Sequence, residues 1–191
     1  MKKVTLLIPC YNEEESLPLL YQALTQLMAD NDGYQWEVLL VNDGSNDNTL
    51  SLIQSYRQKD DRFCYIDLSR NFGKEAAMLA GFDYATGDCL VIMDADLQHP
   101  PTLIPEMLLH WEKGFDDVYA KRESRGKESR LRKHLSLLYY NILQHTTRVK
   151  ILPNVGDFRL LDRKCIDVLK QLRESERYTK GMFCWIGFLK K

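Results

Sequence analysis

What the chain lacks narrows its class first. It has no run of about eighteen apolar residues, so no stretch reads as a transmembrane helix. Its first residues, MKKVTLLIPCYN, turn polar too soon for a signal peptide. The net charge is −1, so no global field favours nucleic acid or a membrane. The five cysteines are scattered, odd in number and never in C-x-x-C spacing. That argues against a disulfide framework or a zinc site and fits reduced thiols in the cytoplasm. No P-loop, G-x-x-x-x-G-K-[ST], is present. Neither an internal repeat nor a low-complexity linker interrupts the 191 residues.

What is present is an ordinary soluble composition, with 45% apolar and 28% charged residues, in a chain long enough for one real core. Buried strands are expected at Val4–Pro9, Trp36–Val41, Phe63–Leu68 and Cys89–Met93, with a short one at Val118–Ala120. Between them, apolar residues recur at helical spacing from Leu17 to Met28, from Leu50 to Tyr56 and from Leu103 to Trp111. An alanine-rich helix is expected from Lys74 to about Ala85, and Asp47 is the expected cap of the second helix. The order βαβαβαβαβ predicts an α/β, doubly wound, mostly parallel sheet with right-handed crossovers. Further on, Leu131–Thr147 reads as an amphipathic helix, Gly156–Leu161 as a strand, and Asp162 as the cap of a last helix. No domain boundary is visible. A nucleotide-binding half, to about residue 120, merges into an acceptor-side half.

The chain is organised around Asp88–Pro101. Five apolar residues, Cys89 to Met93, end in Asp94 and Asp96. Open α/β sheets bind ligands at the carboxyl ends of their strands. Two carboxylates there repel each other unless a positive group sits between them. Carboxylates and amide oxygens, here Asp94, Asp96 and Gln98, suit Mg²⁺ or Mn²⁺. The first strand ends in Pro9-Cys10-Tyr11-Asn12-Glu13, and the second in Asn42-Asp43-Gly44-Ser45-x-Asp47-x-Thr49. One sheet edge therefore gathers Tyr11, Glu13, Asp43, Asp94 and Asp96. A ring beside carboxylates can stack a base and accept hydrogen bonds from a base N–H or a ribose hydroxyl. A second feature is basic. Lys121–Lys133 carries a local net charge of +5, directly before the amphipathic helix. Such a segment either forms a solvated loop before a core helix or rests on a bilayer.

Pro9-x-Tyr11-Asn12-Glu13, Asn42-Asp43-Gly44-Ser45-x-Asp47-x-Thr49, Arg70-Asn71-Phe72-Gly73-Lys74 and Asp94-Ala95-Asp96-Leu97-Gln98-His99-Pro100-Pro101 together resemble glycosyltransferase family 2. The resemblance is nearest to its dolichyl-phosphate mannose synthase and bactoprenol glucosyltransferase branch. It implies a GT-A fold, a divalent metal, Mg²⁺ or Mn²⁺, and inverting transfer from a nucleotide-diphospho-sugar. A UDP-sugar is the expected donor, although nothing in the motifs separates uracil from guanine or names the sugar. By position, Pro9, Tyr11, Glu13 and Asp43 would hold base and ribose. Asp94, Asp96 and Gln98 would hold metal and diphosphate, with Gly73 and Lys74 facing the donor. Arg122, Arg132 and Ser136 match positions for an acceptor phosphate, and Asp157 matches a candidate base. Asp157 and Asp96 are the expected catalytic residues.

The branch continues into membrane helices, so this chain is expected to be truncated before them and to work at the cytoplasmic face of the membrane. The expected acceptor is a polyprenyl phosphate. A family 2 enzyme that extends a surface polysaccharide on a sugar hydroxyl is the alternative. A Mg²⁺-dependent phosphoryl-transfer domain is more remote, because its aspartate would sit on an earlier strand and a threonine would follow. No nucleic-acid partner is expected, and a homo-oligomer is compatible with the sequence.

Overall fold

The protein is described from a computed structural model, over residues 1–121, 155–174 and 178–191. Four parallel strands open the fold: β1 (Lys3–Cys10), β2 (Gln35–Asn42), β3 (Phe63–Asp67) and β4 (Cys89–Ile92). The helices α1 (Leu17–Asp30), α2 (Thr49–Lys59) and α3 (Lys74–Tyr84) connect them. A 3₁₀ turn at Pro101–Leu103, α4 (Ile104–Glu112), β5 (Asp117–Lys121), β6 (Val155–Asp162), α5 (Arg163–Leu169) and α6 (Thr179–Trp185) follow. The six strands lie in the order β3-β2-β1-β4-β6-β5.

The apolar runs are buried on both faces because side chains alternate along a strand. Leu6 and Ile8 of β1 pack with Leu20 and Leu24 of α1, Ile53 of α2 and Leu108 of α4. Leu7 points the other way, into a second cluster with Met78 and Phe82 of α3, Ile166 of α5 and Phe183 of α6. Each such leucine or isoleucine stabilises the fold by roughly 1.5–3 kcal/mol on full burial. The helix between β3 and β4 therefore covers one face, and the helices that follow β1 and β2 cover the other.

The position of β5 departs from the expected alternation. It does not extend the parallel set beside β4. Instead β6 lies between them, antiparallel to both. The composition of β6 explains its interior place. Phe158 and Leu160 fill one face and Leu161 the other, all buried. Between them, Arg159 reaches Asp117 of β5 at 3.0 Å, with both side chains almost wholly buried. A pair of this kind specifies partners more than it stabilises, but losing one member costs about 3–5 kcal/mol. The last residues also run along β5, where Asp117 and Tyr119 donate their N–H groups to the carbonyls of Leu189 and Lys191.

Two smaller differences concern helices. Asn48, not Asp47, is the residue preceding α2. Asp47 accepts the N–H of Thr49 through Oδ1 and that of Glu14 through Oδ2, so it ties two loops together rather than capping the helix. Helix α6 has no counterpart in the sequence reading. Asp162 does cap α5, accepting the N–H of Lys164. The amphipathic segment 131–147 lies outside the described residues. Among the described residues, no helix is long and apolar enough to cross a membrane.

Candidate active site

The carboxyl ends of β1, β2 and β4 open onto a cleft of roughly 280 Å³, near the lower end of the range for ligand sites. Pro9, Tyr11, Glu13, Asp43, Lys74, Asp94 and Asp96, all candidate residues of the sequence, line it. Cys10, Asn71, Gly73 and Ala95 complete the wall. Burial, and then the charge of Glu13, push the Cys10 thiol far above its ordinary pKa, so it is a packing group and not a nucleophile.

The loops after β1 and β2 are stitched together. Asn12, in the left-handed region at φ 54°, accepts the N–H of Asn46 on its side chain and donates its own N–H to Ser45. Glu13 donates its N–H to the Thr49 hydroxyl at 2.7 Å. The Asn-Asp-Gly-Ser-x-Asp-x-Thr motif is thus largely a frame that presents Tyr11 and Glu13. Gly44 is required twice over. Its φ is +64°, and a Cβ would lie 2.3 Å from the Arg70 carbonyl carbon. Asp43 then grips the passing chain, because its buried carboxylate accepts the N–H groups of Phe72 and Gly73 at 2.8 and 2.9 Å. Helix α3 begins at the next residue, Lys74. Its N-terminus and an ammonium are thereby aimed into the cleft.

The Lys74 ammonium lies 2.5 Å from Asp94 Oδ1 and 2.9 Å from Asp157 Oδ2. Burial works against its charge, but the hydrogen bond to Asp94 and the charge of Asp157 outweigh that and hold its pKa above the usual lysine value. The positive group thus sits between Asp94 and Asp157, not between Asp94 and Asp96. Asp157 reaches the site from β6, the inserted antiparallel strand. Its other oxygen, Oδ1, is buried without a hydrogen bond, and the Lys180 ammonium stands 3.7 Å from it. Lys180 was not anticipated in the sequence. It sits on the short α6, which Glu75 fixes by accepting the N–H and hydroxyl of Thr179. Nothing local marks it, since only the packing of α6 against α3 brings it to Asp157.

The loop after β4 is bent at Leu97, a non-glycine residue with φ 56°. Asp96 accepts the N–H of Gln98 at 3.0 Å, and the His99 ring stacks on Phe158 at 5.0 Å, beside Asp157. Backbone in the left-handed region is held by its surroundings, and it occurs often at functional sites. Gln98 is exposed and is not part of the cleft wall, unlike Asp94 and Asp96. Among the described residues, no three His, Cys, Asp or Glu side chains form a metal cage. Two open carboxylates, one of which draws an ammonium to 2.5 Å, nevertheless fit a divalent ion that shares its coordination with a ligand. Arg122, Arg132 and Ser136 lie outside the described residues.

This architecture is shared. A mannosyltransferase from Pyrobaculum calidifontis, in complex with GDP-Man and Mn²⁺, superposes with a TM-score of 0.68 at 18% identity, covering 99% of this chain and 54% of that one. TarS of S. aureus in complex with UDP gives 0.63 at 18% identity, covering 94% of this chain and 53% of that one. At these identities the likeness is one of fold, the GT-A fold. In sequence, the chain is 37% identical over 185 residues to the prophage bactoprenol glucosyl transferase homolog of Escherichia coli, covering 97% of this chain and 60% of that protein. It spans less than two thirds of the length of the curated relatives it matches. The profile of Glycosyl transferase family 2 matches residues 5–169, and the chain belongs to that family.

Proposed function

We propose that the protein is an inverting glycosyltransferase that moves a sugar from a nucleotide-diphospho-sugar to a polyprenyl phosphate at the cytoplasmic face of a membrane. One observation carries the reading. Two carboxylates from strands of opposite direction, Asp94 and Asp157, meet at Lys74, beside a cleft that Asp96, Tyr11 and Asp43 also line. The bound ligands of the structural neighbours support a nucleotide-diphospho-sugar, UDP- or GDP-linked, as the donor class, and the names of the relatives support a lipid phosphate as the acceptor class.

Pro9, Tyr11, Glu13 and Asp43 would take the nucleoside, with the ring as a stacking surface and the carboxylates as acceptors. Asp43 has a second task, because it also positions the start of α3. The diphosphate would lie toward the N-terminus of α3 and Lys74, where dipole and ammonium favour anions. Asp94 and Asp96, with Gln98, would hold Mg²⁺ or Mn²⁺, which supplies charge to the leaving diphosphate. The acceptor oxygen bonds to the anomeric carbon from the face opposite the leaving group. The bond to the nucleoside diphosphate breaks, and the anomeric carbon inverts. A phosphate acceptor needs no proton removed, since its second pKa is about 6. Cations must place it instead, and Arg122, Arg132 and Ser136 are assigned that task. Arginine's fork bonds two phosphate oxygens at once.

The buried Asp157 Oδ1, free of hydrogen bonds, favours a second reading. Its acceptor capacity is not used by a hydrogen bond, although Lys180 stands 3.7 Å away, and a base is what a sugar hydroxyl would require. The experiment that separates the readings uses membranes from cells expressing the complete reading frame, with radiolabelled UDP- and GDP-sugars and a short-chain polyprenyl phosphate. Labelled lipid product is expected, and Arg132→Ala should raise the acceptor KM at least tenfold while leaving UDP affinity intact. Transfer to a sugar hydroxyl with no lipid product would place the protein in the polysaccharide-extending class.

A further inference from the structure

Lys74 has two carboxylates and very little freedom at its root. Asp43 clamps the N–H groups of Phe72 and Gly73, so the backbone that carries Lys74 is held on both preceding residues. Helix α3 starts at Lys74 and packs Ala77, Met78 and Phe82 into the core. Its ammonium can therefore move only by rotating its own side chain. It bridges Asp94 of β4 and Asp157 of β6. If it left Asp94, Asp157 would keep counter-charge from both Lys74 and Lys180, which flanks its other oxygen at 3.7 Å. Asp94 would lose its only ion pair among the described residues. The lysine is thus dispensable to one carboxylate and indispensable to the other, unless a different cation arrives.

We propose that Lys74 is a built-in counter-ion at Asp94 that a divalent cation must displace, so that the cation binds well only when a nucleoside diphosphate arrives with it. The inference rests on the assignment of Asp94 and Asp96 to the cation. A bare ion meets two carboxylates, one of them already neutralised, and an ammonium that repels it. No third acidic or histidine ligand compensates among the described residues. A diphosphate changes both sides of that competition. Its oxygens complete the coordination of the ion, and its negative charge gives the lysine another partner. Lys74 therefore opposes the cation alone and favours the cation and diphosphate together. A single side chain with opposite effects on two ligands couples their binding, and the coupling is reciprocal.

The test is a titration of purified protein with Mn²⁺, following the EPR signal of the free ion, with and without UDP. Lys74→Met keeps length and removes charge. It should bind Mn²⁺ alone at least tenfold more tightly than the wild type, while its UDP affinity in saturating Mn²⁺ falls. Lys74→Gln, which keeps a donor for Asp157, should shift both affinities in the same directions if Lys74→Met melts early. Lys74→Arg keeps the charge and should behave as the wild type. A merely structural lysine would weaken both ligands when replaced. If neither neutral variant tightens Mn²⁺ alone, the inference is overturned. Asp96→Asn separates the two levels. If it leaves Mn²⁺–UDP binding unchanged, the cation site itself is misassigned. If it abolishes that binding while Lys74→Met does nothing to Mn²⁺ alone, only the role of Lys74 falls.

Discussion

The two edges of the parallel sheet use carboxylates in opposite ways. At the amino ends of the strands, Glu37 of β2 is buried and closed. It accepts from the Thr5 hydroxyl at 2.6 Å, from the N–H and hydroxyl of Thr86 at 3.0 and 2.6 Å, and from the Lys3 ammonium at 3.0 Å. Thr5 in turn accepts the N–H of Gly87. The cluster sews β1, β2 and the approach to β4 together. At the carboxyl ends of those strands, Asp94 and Asp96 are open to the cleft, and the only ion pair of Asp94 among the described residues is to Lys74. A carboxylate saturated by neighbours with no other outlet is a structural joint. One held by a single displaceable ammonium is available to a ligand. Residue type alone does not separate them; the number and mobility of their partners does.

That contrast can be broken in graded steps. The largest effect is expected at the open edge. Asp96→Asn should lower sugar transfer by about a hundredfold, the scale of losing one charge-stabilising group, and lower metal-dependent UDP affinity at least tenfold. The melting temperature should stay put, because Asp96 is exposed and, among the described residues, holds only a local N–H. A large drop in melting temperature would show that the open edge is structural after all.

The closed edge should behave in reverse. Glu37→Ala strands the buried Thr5 hydroxyl and the Thr86 N–H, which costs about 1–3 kcal/mol. For a chain of this size that lowers the melting temperature by several degrees, and UDP affinity should not change. The same residue predicts an acid limb. Burial raises the pKa of Glu37, but hydrogen bonds from Thr5, Thr86 and Lys3 outweigh it and leave it below the ordinary glutamate value. A depressed carboxylate stabilises the fold above its unfolded pKa, and that contribution is lost as pH falls through the folded one. Chemical denaturation from pH 6 down to pH 3 should show a larger loss in the wild type than in Glu37→Gln, which keeps the depressed carboxylates Asp47 and Asp60.

Asp43 sits between the two types, lining the cleft yet engaged by two backbone N–H groups, one on each oxygen, which leaves a further lone pair on each for a ligand. Asp43→Ala should weaken UDP and UDP-sugar equally, by about tenfold or 1.4 kcal/mol, since both share the nucleoside. Calorimetry that found UDP binding intact and only the sugar nucleotide lost would move Asp43 from the nucleoside to the sugar.

Much of the fold was legible because it is written in local periodicity. Leu17, Leu20, Leu24, Leu27 and Met28 recur at helical spacing and are all buried on one side of α1. Uninterrupted runs such as Leu6-Leu7-Ile8 announced strands covered on both faces, and they are. The carboxyl-end loops were readable for the same reason, since each cluster of polar residues follows a strand directly. Tyr11, Glu13, Asp43, Asp94 and Asp96 therefore meet wherever parallel strands lie side by side.

By itself, then, the sequence determined the parallel half of the sheet, its helices and the row of carboxylates along one edge, because spacing of apolar residues and strand direction are local properties. Only the tertiary structure decided what neutralises that row. The insertion of β6 between β4 and β5 rests on strand pairings far apart in the chain, one of them joined by Arg159 and Asp117. That insertion brings Asp157 to Asp94, and the packing of α6 on α3 brings Lys180 to Asp157. Lys74 was visible as a cation at a helix start, but its choice of Asp94 and Asp157 was not. Ion pairs depend on distances across the fold, which no local pattern encodes.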